Sequence, residues 1–95
     1  MAIKKFIGTR GVGKTSQLLE YAVDNNIEYV ICVNPRHMME KAHSLGFQGL
    51  TFISHTSATE LEKLFESGEP YVIDEIETFI RLMFNNLQAY TFSIE

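Results

Sequence analysis

Two features that are scarce in this 95-residue chain exclude whole classes of protein. Cys32 is the single cysteine, so neither a disulfide framework nor a zinc ribbon can form, and its expected role is core packing. No apolar stretch approaches the roughly 20 residues of a membrane-spanning helix, and the N-terminal segment has no signal-peptide core. We therefore predict one cytoplasmic domain over residues 1–95, without a membrane partner.

Positive charge is also scarce, which argues against a simple nucleic-acid-binding protein. Eight Lys and Arg residues stand against twelve Asp and Glu residues, for a net charge of −4. No basic stripe is visible, and the clusters at Lys4-Lys5 and Lys41-His43 are small enough to be ordinary solvated surface. A nucleic acid could still be a partner, but a ring or a second protein would have to supply the positive surface.

Apolar residues are plentiful and fall into a regular alternation. They make up 45% of the chain, which suits a globular core and excludes disorder. Strands are predicted at residues 3–7, 28–33, 50–54, 71–75 and 90–94. Helices are predicted at residues 13–25, from Pro35 after an Asn34 N-cap to a stop at Gly46, from the Ser57–Glu60 capping box, and along Phe79, Ile80, Met83, Phe84 and Leu87. Continuous apolar strands separated by helices predict a three-layer α/β/α sandwich with a five-stranded, mainly parallel sheet.

A glycine-rich segment with the pattern G-x-x-x-x-G-K-S/T follows the first predicted strand. Its glycines let the backbone curl, so that successive N–H groups converge on an anion in front of a helix. Lys14 would add a positive charge for the β and γ phosphates, and Thr15 a hydroxyl for Mg²⁺. The predicted nucleotide-binding residues are Gly8, Thr9, Arg10, Gly11, Val12, Gly13, Lys14, Thr15 and Ser16.

A second chemical signal is the apolar run of residues 71–73, which ends in the carboxylates Asp74 and Glu75. On a buried parallel strand, Asp74 would lie at the carboxyl end, where open α/β sheets bind their ligands. Asp74 could hold Mg²⁺ through a water molecule, and Glu75 could polarise an attacking water. The pairing of this segment with the glycine-rich loop makes a joint signal that is stronger than either alone.

These two segments resemble the Walker A and Walker B motifs of P-loop NTPases. The Asp-Glu pair is similar to that of RecA-like ATPases, AAA+ ATPases and helicases, in which a catalytic glutamate follows the aspartate of the metal site. The resemblance implies that Lys14 and Thr15 serve phosphate and Mg²⁺, that Asp74 serves Mg²⁺, and that Glu75 is the general base. ATP and Mg²⁺ are then the expected ligands, since the Asn-Lys-x-Asp segment of guanine-specific proteins is missing.

The sequence departs from that of most P-loop NTPases because it continues for only twenty residues after Glu75, and we expect no second lobe. A lone lobe leaves the γ-phosphate side open, which predicts slow turnover unless a neighbouring subunit completes the site. We therefore expect a homo-oligomer. Arg10, Arg36 and Arg81 are the candidates for an arginine that reaches a neighbour's nucleotide.

Three functions stay open at this point. The first is an ATPase that acts within an oligomer, in the nucleic-acid metabolism of a virus, and so in a host cytoplasm, or of a mobile element. The second is a small-molecule kinase, because type II thymidine kinases also combine a phosphate loop with a strand ending in Asp-Glu. The third is a nucleotide-binding regulatory module that hydrolyses little. His37, His43 and His55 lack the spacing of a shared metal site and are predicted to lie on the surface.

Overall fold

The computed structural model of the protein describes residues 3–8 and 13–93. These residues form four helices and three strands, which alternate along the chain. The elements are α1 (Lys14–Asp24), β1 (Tyr29–Cys32), α2 (Pro35–Ser44), β2 (Thr51–Ser54), α3 (Ala58–Ser67), β3 (Tyr71–Ile73) and α4 (Ile76–Met83). Within the same residues, no helix has the length and apolar character needed to cross a bilayer.

The three strands form one parallel sheet in the order β2-β1-β3. The central strand β1 is the most apolar and the most buried, with Val30, Ile31 and Cys32 fully shielded from solvent. Hydrogen bonds extend the pairing beyond the strand ends: the Asp74 N–H donates to the Ile31 carbonyl (2.8 Å), and the His55 N–H donates to the Cys32 carbonyl (2.9 Å). The residues that follow β2 and β3 are thereby held against the carboxyl end of β1.

Alternating side chains of the strands supply two separate apolar clusters, one on each face of the sheet. On one face, Val30, Cys32 and Val72 pack with buried residues of α1 and α2. On the other face, Ile31 and Ile53 pack with buried residues of α3, and Phe79 of α4 joins them. Helices therefore cover both faces, as the continuous apolar strands predicted.

Local sequence signals account for the helix ends. Asn34 caps α2, because its side-chain oxygen accepts a hydrogen bond from the His37 N–H (3.2 Å), and Pro35 takes the first helical position. Gly68 ends α3 in the left-handed conformation. Ser57 does precede α3, but its side chain makes no capping hydrogen bond. The predicted start of α3 is therefore confirmed, while the predicted capping-box contact is wrong.

The five-stranded sheet is not confirmed, because two of the predicted strands are absent from the described residues. Residues 3–7 form no strand, and Ile3 and Ile7 are 79% and 56% exposed. Residues 90–93 likewise form no strand, and Ile94 lies outside the described residues. An apolar, β-branched composition shows only that a segment suits a pleated, half-buried surface. Both core clusters are built on the three observed strands and the helices.

Candidate phosphate and metal site

The carboxyl edge of the sheet brings together side chains from three separate segments. Thr15 lies in the first turn of α1, His55 follows β2, and Asp74 and Glu75 follow β3. Parallel strands direct all their carboxyl ends to one edge, and helices that follow them begin there. The arrangement places a helix N-terminus, two carboxylates and an imidazole in one region.

The decisive contact joins the two sequence motifs directly. The Thr15 hydroxyl donates a hydrogen bond to Oδ1 of Asp74 over 3.1 Å, although the two residues are 59 positions apart in the chain. Both side chains are half-buried. The sequence predicted that both would serve one Mg²⁺ ion, and the fold does bring them into contact.

The start of α1 has the geometry of an anion-binding terminus. Gly13 is its N-cap, in the left-handed conformation (φ 78°, ψ 21°), and the helix begins at once with Lys14. The first N–H groups of a helix have no partner within it and carry its positive dipole end. Ser16, in the same turn, is half-buried.

The Lys14 side chain reaches from the start of α1 to the backbone of Gly8. Its ammonium group donates a hydrogen bond to the Gly8 carbonyl at 2.5 Å, in an exposed position. The lysine charge is thus held at Gly8, the first glycine of the pattern. The predicted loop residues that follow Gly8, Thr9, Arg10, Gly11 and Val12, lie outside the described residues.

Burial dominates the electrostatics of Asp74. It raises the pKa of the carboxyl above its ordinary value, and the neighbouring Glu75 adds to this effect. The Thr15 hydrogen bond and the nearby His55 and Lys41 act in the opposite direction. Because burial disfavours its charged form, the Asp74 carboxylate would be stabilised by a nearby cation.

Burial, and to a lesser extent the Asp74 charge, also raises the pKa of the Cys32 thiol to about 11. This cysteine is therefore an inert core residue.

Glu75 has a backbone conformation that non-glycine residues rarely adopt. It lies in the left-handed region (φ 56°, ψ 59°), at the N-cap of α4, and its side chain is exposed. Such a conformation costs about 1 kcal/mol or more in a residue with a Cβ atom, and it is found most often at functional sites. The turn presents the Glu75 carboxylate to solvent beside Asp74.

His55 is the site residue that the sequence prediction missed. Its side chain is only 2% exposed, so the prediction that it lies on the surface is wrong, whereas His37 and His43 are exposed as predicted. Its Nε2 lies 3.0 Å from the Asp74 carbonyl oxygen, and burial lowers its pKa. One signal was available: His55 directly follows an apolar strand, as Asp74 does, and so had to reach the same edge.

The two candidate arginines that the structure describes, Arg36 and Arg81, lie on different helices. Arg36, in the first turn of α2, forms an exposed ion pair with Glu40 one turn later, at 3.9 Å. Arg81 is exposed in the last turn of α4, and Arg10 lies outside the described residues. An exposed pair of this kind contributes little stability, so Arg36 is free to exchange Glu40 for another anion.

Among the described residues, no group of three or more His, Cys, Asp or Glu side chains forms a metal site by itself. Mg²⁺ rarely needs one, because it takes one or two protein ligands and fills its octahedron with phosphate oxygens and water. The Thr15 and Asp74 oxygens are 3.1 Å apart. Adjacent oxygen ligands of an octahedral Mg²⁺ ion lie at a similar distance from each other, about 3.0 Å. The pair therefore fits this ion.

No protein-family model, curated protein or solved structure matches this chain. Its function is inferred from its own residues, above all from the Thr15–Asp74 contact.

The raised pKa of Asp74 leads to a prediction about stability. As pH rises from about the ordinary carboxyl value, the folded protein keeps this proton longer than the unfolded chain does, so the ionised carboxylate destabilises the fold. We expect Asp74→Asn to raise Tm at pH 7 by a few degrees, since the Tm of a domain of this size shifts by roughly 4–8 °C per kcal/mol. The asparagine oxygen still accepts from Thr15. Thermal unfolding followed by circular dichroism measures the change.

The gain should shrink as pH falls into the ordinary carboxyl range, because the parent protein's Asp74 carboxyl becomes protonated as the pH is lowered. Glu20→Gln, which neutralises an exposed carboxylate on α1, serves as the control and should change Tm by much less. A lower Tm for Asp74→Asn at pH 7 would show that the carboxylate stabilises the fold and that burial is not its dominant influence.

Proposed function

We propose that this chain binds ATP with Mg²⁺ at the carboxyl edge of its sheet and hydrolyses it, in the manner of a P-loop ATPase. The observation that carries the proposal is the hydrogen bond between Thr15 and Asp74. From the sequence, each of these residues was predicted to bind the same metal ion. The two half-buried side chains are in contact at the edge where parallel sheets bind ligands. A glycine turn with only a structural role would not require this pairing.

Each residue has a separate role in the proposed site. The N–H groups at the start of α1 bind phosphate oxygens, and Lys14 leaves the Gly8 carbonyl to bind the β and γ phosphates. Thr15 and Asp74 hold the metal, Asp74 through a water molecule or directly. When bound, Mg²⁺ supplies charge neutralisation at the phosphate oxygens.

Glu75 is the proposed general base, because its carboxylate is next to the metal-site residue and open to water. The left-handed backbone at Glu75 supports this role, since strain of this kind persists where the placement of a side chain is useful. Its exposure also predicts a slow reaction. In water a carboxylate is solvated and mobile, and the enclosed environment that strengthens electrostatic catalysis is missing.

The same exposure favours a second candidate function, a nucleotide-binding module with little hydrolysis. The two candidates share the phosphate and metal residues and differ only in what Glu75 does. Isothermal titration of the parent protein with ATP, in the presence of Mg²⁺ and then of EDTA, tests the shared part. Phosphate release measured on the same sample separates the two functions. A protein that binds no Mg-ATP at millimolar concentration would rule out both.

We further propose that the active form is a homo-oligomer assembled through α4. This helix has no buried residue, and although Phe79 packs against the core, other apolar side chains of the helix and of the segment after it are exposed. These exposed side chains, the proposed interface surface, are Ile76, Leu82, Met83, Phe84 and Leu87. Exposed apolar surfaces of this kind commonly mark interfaces. Arg81 lies on the same helix and would then be carried toward a neighbouring subunit.

Light scattering at micromolar concentration should therefore show a dimer or a larger species. Phe84, which is 60% exposed, is the substitution site of choice, because Phe84→Glu places a charge in the surface without disturbing the core. We expect this variant to be monomeric and to lose the concentration dependence of hydrolysis per subunit. Met39→Glu, which changes an exposed apolar residue on α2, should assemble like the parent. A parent protein that is monomeric with and without Mg-ATP would contradict the assembly.

A further inference from the structure

His55 has no part in the chemistry proposed above, yet it is the most buried polar side chain at the site. Its backbone is fixed by the hydrogen bond to the Cys32 carbonyl, and its Nε2 lies 3.0 Å from the Asp74 carbonyl oxygen. A carbonyl oxygen only accepts hydrogen bonds, so Nε2 must carry a proton and donate it. The imidazole thus links the end of β2 to the turn after β3.

His55 contacts residues on both sides of the strained residue Glu75 in the chain, Asp74 before it and Phe79 after it. On the N-terminal side, His55 holds the carbonyl of Asp74, the peptide group that leads into Glu75. On the C-terminal side, the Phe79 N–H donates to the Glu75 carbonyl at 3.2 Å. The Phe79 ring packs edge-on against the His55 ring, with the centroids 5.2 Å apart. A strained conformation persists only when its surroundings fix it in this way.

The second ring nitrogen of His55 shows that the buried imidazole is unfavourable for stability alone. Nδ1 is buried and has no hydrogen-bond partner among the residues that the structure describes, and an unpaired buried polar atom destabilises a fold. An apolar side chain would fill the same place between Phe79 and the sheet without this penalty. The gain that offsets the penalty is the hydrogen bond from Nε2 to the Asp74 carbonyl.

We propose that His55 is a positioning residue, which holds Glu75 in its left-handed conformation by donating a hydrogen bond from Nε2 to the Asp74 carbonyl. The catalytic consequence of this inference rests on the proposed ATPase function, because Glu75 must be aimed at a water beside the phosphate for its placement to matter. The structural consequence, a turn fixed by one donor, does not depend on any ligand.

Two substitutions by amide side chains distinguish the role of the Nε2 hydrogen bond from that of the imidazole ring's packing. In His55→Gln, the side-chain nitrogen can reach the position of Nε2, whereas in His55→Asn the shorter side chain reaches only the position of Nδ1. Both variants lose the ring contact with Phe79, so a role confined to ring packing would impair them equally. His43→Asn, a change at an exposed histidine of α2, is the control for the substitution itself.

The first measurement is amide hydrogen exchange in the absence of nucleotide. The Asp74 and Phe79 amides flank the turn and are both hydrogen-bonded, and the Thr51 amide, bonded to the Glu28 carbonyl on the far strand pair, is the internal reference. We expect exchange at Asp74 and Phe79 to rise about tenfold or more relative to Thr51 in His55→Asn, and to stay near the parent level in His55→Gln. Equal exchange in the two variants would overturn the proposal.

The second measurement is ATP hydrolysis. His55→Asn should lower kcat by about tenfold or more with ATP affinity unchanged, because a small displacement of a catalytic group slows the chemical step without altering binding. His55→Gln should recover most of the parent kcat. If the parent protein does not hydrolyse ATP, the proposed function fails while the exchange data still decide the role of His55. Hydrolysis by His55→Asn at the parental rate would remove the positioning role.

Discussion

Lys14→Ala is expected to weaken Mg-ATP binding by about a hundredfold or more, with Tm and the circular dichroism spectrum close to those of the parent. A hundredfold loss corresponds to about 2.7 kcal/mol, which is within the range for a hydrogen bond between charged groups. The Lys14 ammonium group contacts the Gly8 carbonyl in an exposed position, so its removal leaves no cavity in the core. Isothermal titration with Mg-ATP measures the affinity.

Lys5 supplies a matched control for this experiment. Its ammonium group also reaches a nearby backbone carbonyl, that of Ile3, at 3.5 Å on the exposed surface. Lys5→Ala therefore removes the same charge and a similar contact without touching the phosphate loop, and it should bind Mg-ATP within about twofold of the parent. If the two alanine variants bind equally well, the lysine of the glycine-rich segment has no special role and the phosphate-site proposal fails.

The elements that sequence reasoning predicted well are those with two independent signals. Helix α2 combines the Asn34 cap with Pro35 at the first helical position. The Thr15–Asp74 contact could be predicted from the sequence for a similar reason. Each residue was placed at one sheet edge by its own motif, and parallel topology requires that such edges coincide.

The elements that sequence reasoning missed depend on tertiary contacts. Residues 3–7 have strand composition, but a strand also needs a partner for its N–H and C=O groups. The left-handed backbone at Glu75 has no local signal, because glutamate has no preference for that region. His55 was assigned to the surface because the three histidines lack the spacing of a shared metal site. Its burial follows from packing between Phe79 and the sheet, which no local pattern encodes.

The geometry at Glu75 leads to the second large effect. Glu75→Gln should retain Mg-ATP binding within about threefold and lose ATP hydrolysis by about a hundredfold or more, because an amide cannot accept the proton of an attacking water. Glutamine has the same length and the same Cβ atom, so the strain of the left-handed turn is unchanged and Tm should remain close to that of the parent. Phosphate release at saturating Mg-ATP, with titration on the same samples, gives both quantities.

Glu77→Gln is the control, since it neutralises another exposed carboxylate two residues further on, in the first turn of α4. The two substitutions change the net charge and the charge near the helix N-terminus by the same amount. A general electrostatic effect on the bound phosphates would therefore slow both variants alike, whereas a base role would slow only Glu75→Gln. Hydrolysis by Glu75→Gln at the parental rate, with binding intact, would leave the phosphate and metal residues in place and reduce the chain to a nucleotide-binding module.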